Sequence, residues 1–136
     1  MANYKGYLKD KDNNQLFISD IYSTNEQVIG TWINGKPLYR KVIHTGALPN
    51  AEIKTVSEPV LGTIDQAVTI RGVGKNATTN EMIPLPYVGD ILSSGASKNF
   101  IKIYINCKQK LIFLTTADDR TLYDSYVILE YTKTTD

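Results

Sequence analysis

The stretch NFIKIYINCKQKLIFLTTA, residues 99–117, decides the fold class. In its first half Lys102 and Tyr104 alternate with apolar residues, and a period of two is typical of a half-buried β-strand. The apolar residues that share one face are Ile101, Ile103, Ile105 and Cys107. The residues KQK then turn the chain into KLIFLTTA, which is apolar on both faces and therefore predicts a central strand.

Strand patterns extend in both directions from this stretch. The segment LYDSYVILEYTK follows the turn ADDRT and predicts a last strand. Earlier strands are predicted at AEIKTV, DQAVTIRGVG and EMIPLPYV, with breaks at HTGALPN and GDILSSGASKN. Pro84 and Pro86 confine the strand EMIPLPYV to an edge or a bulged end. No stretch has a period of 3.6 residues, so the sequence predicts an all-β fold, an antiparallel β-sandwich with jelly-roll-like connections.

The N-terminal residues form a separate unit in this interpretation. In YKGYLKDKDNNQLFIS two apolar pieces flank the polar residues DKDNN, which predicts a short hairpin. We expect residues 1–22 to be a hairpin or anchor segment and residues 23–136 to be the sandwich domain. The candidate anchor residues are Tyr4, Tyr7, Leu8, Leu16, Phe17 and Ile18.

A second hairpin is predicted at GTWINGKPLYRKVI, residues 30–43. Asn34-Gly35 between β-rich runs favours a two-residue type I′ turn, because both central residues need positive φ. Such a loop places Trp32 opposite Pro37, with Tyr39 diagonally on the same face. The other face then carries Ile29, Thr31, Ile33, Leu38 and Val42. The hypothesis is that Trp32, Pro37 and Tyr39 form a packed structural cluster, under the sandwich or between subunits.

Composition and charge exclude several classes of function. The formal net charge of +1 over 136 residues is far from the basic excess of a dedicated nucleic-acid binder. The sequence contains no run of about 18 apolar residues, so it predicts no membrane-spanning segment. The first residues lack the apolar core of a secretory signal, so we expect a soluble protein that is not exported by the general secretory route.

Few side chains offer catalytic or metal-binding chemistry. Cys107 and His44 are the only residues of their types, which disfavours thiolate metal clusters and histidine catalysis. Asp10, Asp12 and Asn14 begin a calcium-loop pattern that lacks its glycine and its glutamate, so a plain turn is favoured. The carboxylates weighed as a glycosidase pair are Asp118, Asp119, Asp124 and Glu130, and Arg120 would keep a neighbouring carboxylate ionised. We predict no catalytic, cofactor-binding or metal-binding residue.

Aromatic residues are the remaining resource. Nine tyrosines and one tryptophan could stack on sugar rings, or could serve strand propensity, packing and subunit contacts. The sequence leaves both interpretations open.

One long segment resembles a family. The segment STNEQVIGTWINGKPLYRKVIHTGALPN is similar to one that recurs in structural proteins of tailed bacteriophages, with the core W-x-N-G-K-P-L-Y. The strands IDQAVTIRGVG and MIPLPYV and the ending TADDRTLYDSYVILEYTKTTD resemble the same family. Together these pieces cover most of residues 22–136. The resemblance implies a virion protein, such as a tail, baseplate, head-fibre or receptor-binding component, and it supplies no enzymatic residues.

Two functions remain open within this resemblance. In the first, the protein is a homotrimeric knob whose loops contact a host surface glycan or protein. The candidate receptor-loop residues are Lys75, Asn76, Thr78, Asn80, Ser93, Ser94 and Ser97. In the second, it is a head-fibre, decoration or adaptor protein that the N-terminal segment docks onto other virion proteins. Only about twenty residues precede the module, so we expect a short knob or a docked piece without a long shaft.

Both functions place the protein in the virion, assembled in the cytoplasm of the bacterial host. Neither requires a cofactor, nucleic acid or an enzymatic activity. A depolymerase or lysin is disfavoured, because the sequence shows no credible carboxylate pair, metal cluster or nucleophile.

Overall fold

Two antiparallel sheets form a sandwich in the computed structural model, which describes residues 7–9, 15–17, 21–89 and 99–136. The larger sheet has the strand order β3-β4-β10-β6-β7. Its strands are β3 (Gln27–Thr31), β4 (Pro37–Ala47), β10 (Tyr123–Lys133), β6 (Ile64–Asn76) and β7 (Met82–Leu85). The smaller sheet has the order β5-β9-β8, with β5 (Ile53–Ser57), β9 (Leu111–Thr116) and β8 (Ile101–Asn106). The prediction of an all-β sandwich is confirmed.

The N-terminal hairpin is also confirmed. Strands β1 (Tyr7–Lys9) and β2 (Gln15–Phe17) pair antiparallel, with Leu8 opposite Leu16. Of the anchor candidates, Tyr4 and Ile18 lie outside the described residues, as do Asp10, Asp12 and Asn14 of the calcium-loop pattern. Nothing tests the division at residue 22, which stays a prediction. No helix within the described ranges is long and apolar enough to cross a membrane.

The stretch 99–117 forms the hairpin β8–β9, as its pattern predicts. Tyr104 lies opposite Phe113, and β9 is the central strand of the smaller sheet. Inward-facing Ile112 and Leu114 are completely buried. Leu111 and Phe113 on the other face are half-buried between the flanking strands, so both faces of the central strand are apolar.

Strand β10 is the centre of the larger sheet. It pairs with β4 on one side and β6 on the other, and alternate residues Val127, Leu129 and Tyr131 are buried in the core. Burying such side chains contributes about 1.5–3 kcal/mol each relative to exposure. The opposite residues of β10, among them Asp124 and Tyr126, lie on the outer face.

Two features of the larger sheet bear on the sequence predictions. Strand β7 is an edge strand, with Pro84 opposite Val73, as its prolines predict. The break predicted at HTGALPN is wrong in its start, because β4 continues to Ala47. Gly46 allows this continuation by adopting a positive φ of 73°.

The hairpin between β3 and β4 forms, but its predicted two-residue turn is wrong. Gly35 N–H donates to Trp32 O, and Trp32 N–H donates to Lys36 O, both over 2.9 Å. The loop therefore has three residues, and only Gly35 (φ +85°) is left-handed, whereas Asn34 is not. This is a type I turn followed by a left-handed residue. The Oδ1 atom of Asn34 accepts from Lys36 N–H at 3.1 Å, which stabilises this alternative.

The extra loop residue changes the register of the hairpin. Pro37 lies opposite Thr31 and not opposite Trp32. A bulge between Val28 and Gly30 interrupts the alternation. As a result the residues predicted to share the second face of the hairpin do not share one, since Ile29 is buried while Ile33, in the turn, is 90% exposed.

Candidate functional site

The hairpin β3–β4 is joined to the C-terminal residues. The rings of Tyr39 and Tyr131 stack with their centroids 6.0 Å apart. Tyr39 Oη donates to a carboxylate oxygen of Asp136 at 2.7 Å, across 97 residues of sequence. The Lys133 ammonium lies 4.7 Å from the centre of the Tyr39 ring. We call these four residues the hairpin–tail clasp.

The electrostatics of the clasp keep both tyrosines protonated. The hydrogen bond to Asp136, followed by burial, raises the pKa of Tyr39. Burial, followed by a hydrogen bond to Glu26, raises the pKa of Tyr131 far above its ordinary value. Glu26 also pairs with Lys133 at 2.5 Å. Each charged group in the clasp therefore has an oppositely charged or aromatic neighbour.

The other residues of the predicted hairpin cluster have different environments. Trp32 and Pro37 are half-buried, and Asn34 and Gly35 form the exposed turn. Tyr39 packs against the core, and the ring stacked on it is Tyr131. A half-buried Trp32 costs less on truncation than the about 3–5 kcal/mol expected for a fully buried one.

The predicted receptor loop at 74–81 is a tightly bonded turn. Asn76 is buried, and its Oδ1 accepts from the N–H groups of Thr78 and Thr79 at 2.9 and 3.2 Å. Asn80, at φ +60°, donates its N–H to Asn76 O. Asn76 thus has a structural role in the turn, while Lys75, Thr78 and Asn80 are exposed. The other candidates, Ser93, Ser94 and Ser97, lie outside the described residues.

A cavity of about 320 Å³ lies beside this turn, on the outer face of the larger sheet. Its lining comes from β6, β7, β10 and the start of the turn. The lining residues are Val73, Lys75, Ala77, Met82, Asp124 and Tyr126. We call it the Tyr126 pocket. Met82 is 57% exposed and Tyr126 is 41% exposed, so the pocket presents apolar surface to solvent.

Polar groups flank the ring of Tyr126. His44 on β4 packs beside it with centroids 4.8 Å apart, and His44 Nε2 lies 2.7 Å from Asp124 Oδ1. Asp124 lies opposite Lys75 in the register of β10 and β6. An imidazole therefore lies beside an exposed aromatic ring, and a carboxylate and a lysine line the same pocket.

A second uncovered surface lies on the outer face of the smaller sheet. Tyr104 and Phe113 stack in parallel, with centroids 4.6 Å apart and 4° between the ring planes. Ile53, on the neighbouring strand of this sheet, is 60% exposed, and Tyr104 is 50% exposed. With half-buried Leu111 these residues form what we call the small-sheet patch.

The carboxylates weighed as a glycosidase pair have separate structural partners. Hydrogen bonds from Thr121 lower the pKa of Asp119. Burial disfavours the charged form of Glu130, but hydrogen bonds from Thr69 and Arg40 outweigh it and lower its pKa. A general acid needs a raised pKa, so neither group is suited to that role. The described parts of the chain contain no group of three metal-ligating side chains.

Neither the Tyr126 pocket nor the small-sheet patch is evident from the sequence pattern. The alternation in LYDSYVILEY would have placed Asp124 and Tyr126 on one face of a strand, and FIKIY did place Lys102 and Tyr104 together. The strands that lie beside these residues are set by the order of strands in the sheet. Alternation along a single strand does not specify that order.

No family model matches the chain, and no curated protein or solved structure is significantly similar to it.

Proposed function

We propose that this chain is a structural and adhesive module of a tailed-bacteriophage virion, in which a homotrimeric β-sandwich knob takes part in host adsorption. The proposal starts from the resemblance of its sequence motifs to phage structural proteins. Its alternative is a head-fibre, decoration or adaptor protein that docks through the N-terminal segment.

The hairpin–tail clasp is the observation that carries the proposal. The two most characteristic motifs of the resemblance are W-x-N-G-K-P-L-Y and the ending Y-T-K-T-T-D. They are distant in sequence, and they meet where Tyr39 contacts Tyr131 and Asp136. The residues of the two motifs stabilise each other's positions, so the motifs have a structural role. Such a role supports the resemblance to structural proteins.

The small-sheet patch is the surface that suits contact between subunits. Aromatic and aliphatic residues exposed together on a sheet face are typical of protein interfaces. Tyr104 lies opposite Phe113, and Ile53 lies opposite Thr115, which is two positions further along β9 on the same face. Three copies related by a threefold axis would cover this face with a heterologous contact that closes on itself.

Light scattering on the purified full chain tests the trimer. We expect a mass of three chains of 15.2 kDa each, and a shift to the mass of one chain in Tyr104→Ser. Tyr22→Ser is the matched control, because Tyr22 is 53% exposed but lies away from the patch. A wild-type monomer at tens of micromolar, or equal effects of both variants, would overturn the trimer.

A cell-binding assay then separates the two functions. Labelled wild-type protein is expected to bind host cells, and so is a variant that lacks residues 1–20. An adaptor would instead bind only phage particles and would lose that binding with the same deletion. Binding to neither cells nor particles would contradict both.

A further inference from the structure

We propose that the Tyr126 pocket is a binding subsite for a single sugar ring of a cell-surface glycan. The inference rests on the proposed function for the source of the glycan, but the recognition itself is argued from the pocket. Its volume of about 320 Å³ is at the small end of the range for ligand sites. It therefore suits a small ligand and not a long apolar segment.

The ring of Tyr126 has one side available to a ligand. His44 packs beside it from β4, and the pocket extends from the opposite side over β6 and β7. The face of an aromatic ring carries partial negative charge. The C–H groups on one face of a pyranose carry partial positive charge, so the two faces attract each other. Met82, Val73 and Ala77 extend the apolar surface around such a contact.

The polar side chains at the pocket can form hydrogen bonds with the hydroxyl groups of a ligand. Asp124 Oδ1 is hydrogen-bonded to His44 Nε2. Because a carboxylate has about four acceptor positions, Asp124 can still accept hydrogen bonds from hydroxyl groups. Lys75 supplies up to three donors for hydroxyl acceptors. A sugar ring presents hydrogen-bond donors and acceptors around its rim and apolar C–H groups on its face. In this pocket Asp124 and Lys75 would bind the hydroxyl groups, and Tyr126 would contact the C–H face.

Other ligand classes fit less well. A phosphate or other compact anion would approach Lys75 but would also meet the negative charge of Asp124. An apolar peptide would cover Lys75 and Asp124 without pairing them, which is unfavourable for buried polar groups. The opposite charges of these two residues favour a neutral polyhydroxylated ligand.

The wall of the pocket is held in place before a ligand binds. Ala77 belongs to the turn that the Asn76 side chain caps. Asn76 N–H also donates to Glu81 O, and Tyr123 donates to the Glu81 carboxylate. Because this loop is already ordered by its own hydrogen bonds, binding would require little further ordering.

Ligand-observed NMR with the full chain tests the subsite. The probes are the methyl glycosides of glucose, galactose, mannose and N-acetylglucosamine at up to about 50 mM, since single-ring affinities are about millimolar. We expect saturation transfer to at least one of them. Tyr126→Ala should weaken that binding at least tenfold, whereas Tyr126→Phe, which keeps the ring, should retain it within about threefold.

Tyr22→Ala is the matched control, because it removes an exposed tyrosine that lines neither the pocket nor the small-sheet patch, and circular dichroism verifies that each variant folds. Asp124→Asn should weaken binding severalfold, since its amide replaces one acceptor oxygen by a donor. The subsite is overturned if no probe binds, or if Tyr22→Ala and Tyr126→Ala have equal effects.

Cell binding distinguishes this inference from the proposed function. Loss of both sugar and cell binding in Tyr126→Ala would support the subsite and its part in adsorption. Cell binding that survives Tyr126→Ala would overturn the pocket as the adsorption subsite while adsorption itself stands. Sugar binding by a wild-type protein that does not bind cells would support the subsite and contradict adsorption.

Discussion

Tyr39 stacks on Tyr131 at an interplanar angle of 19°, and its hydroxyl reaches Asp136 beyond the end of β10. The first residue of this pair belongs to β4 and the second to β10, which are neighbours in the larger sheet. The stack therefore strengthens a strand pairing of large sequence separation. Asp136 adds the tail to the same contact, so three parts of the chain depend on one aromatic ring.

Truncation of Tyr39 separates the ring from its hydroxyl. We expect Tyr39→Ala to lower the free energy of unfolding by about 2–3 kcal/mol, because a half-buried ring loses its packing. Tyr39→Phe should cost less than about 1 kcal/mol, because an exposed charged hydrogen bond is screened by water. Urea unfolding followed by the fluorescence of the single tryptophan measures both. Equal costs for the two variants would show that packing is not the main contribution.

The hairpin turn gives a sharper test through Asn34. In the observed turn Gly35 alone is left-handed, so Gly35→Ala should cost about 1–2 kcal/mol. Asn34→Gly should cost about 0.5–1 kcal/mol, because glycine adds unfolded-state entropy and removes the acceptor for Lys36 N–H. A type I′ turn would instead accept glycine at position 34 without loss. A stabilised Asn34→Gly variant in the same urea experiment would therefore contradict the three-residue loop.

The sequence predicts which residues share a face of a strand better than it predicts which residues lie opposite one another. The alternation in β8 correctly separated Ile101 and Ile103 from Lys102 and Tyr104, because a period of two follows from strand geometry alone. The turn at Asn34-Gly35 is predicted wrongly because the same residues suit two loop lengths. A bulge near Ile29 and a hydrogen bond from Lys36 N–H to Asn34 Oδ1 accompany the longer loop. Local propensity does not distinguish these alternatives.

The candidate site was less predictable, for a related reason. The composition of its loop predicts Lys75 as a candidate, but Met82 follows on the next strand and Tyr126 comes from a strand far away in sequence. They meet only because β10 inserts between β4 and β6, with β7 beside β6. Such non-local pairing depends on packing of the whole core and leaves no local pattern. Asn76 shows the converse, because its polar side chain predicts a contact with a ligand, whereas in the structure it accepts hydrogen bonds within the turn.

The pair of Arg40 and Glu130 predicts how acid destabilises the fold. Arg40 Nη2 lies 2.6 Å from Glu130 Oε2, and both side chains are largely buried. The pKa of Glu130 is lowered below its ordinary value of 4.5, so its contribution is present above that pH. It is lost as the pH falls through the lower folded value. We expect Glu130→Gln to cost about 2 kcal/mol at pH 7, with the difference from wild type shrinking below pH 4.

Asp65→Asn is the control for this pair, since Asp65 binds Lys36 at 2.8 Å in a more exposed position. It should cost less than about 1 kcal/mol at pH 7. Thermal melts between pH 3 and pH 7 compare the two variants. A Glu130→Gln difference that stays constant across this range would contradict the linkage.

Tyr131 predicts a loss of stability in alkali. Burial and then Glu26 raise its pKa well above the ordinary value of 10.0, so the folded state keeps the proton after the unfolded chain has released it. The contribution is complete below pH 10 and declines as the pH rises further, by about 1.4 kcal/mol at pH 11. Tyr131→Phe cannot ionise, so its stability should fall less steeply between pH 9 and pH 11. Because Glu26 keeps its ion pair with Lys133, the variant should still fold at pH 7, where thermal melts give the reference. Parallel curves for wild type and Tyr131→Phe above pH 10 would show that this hydroxyl ionises equally in both states.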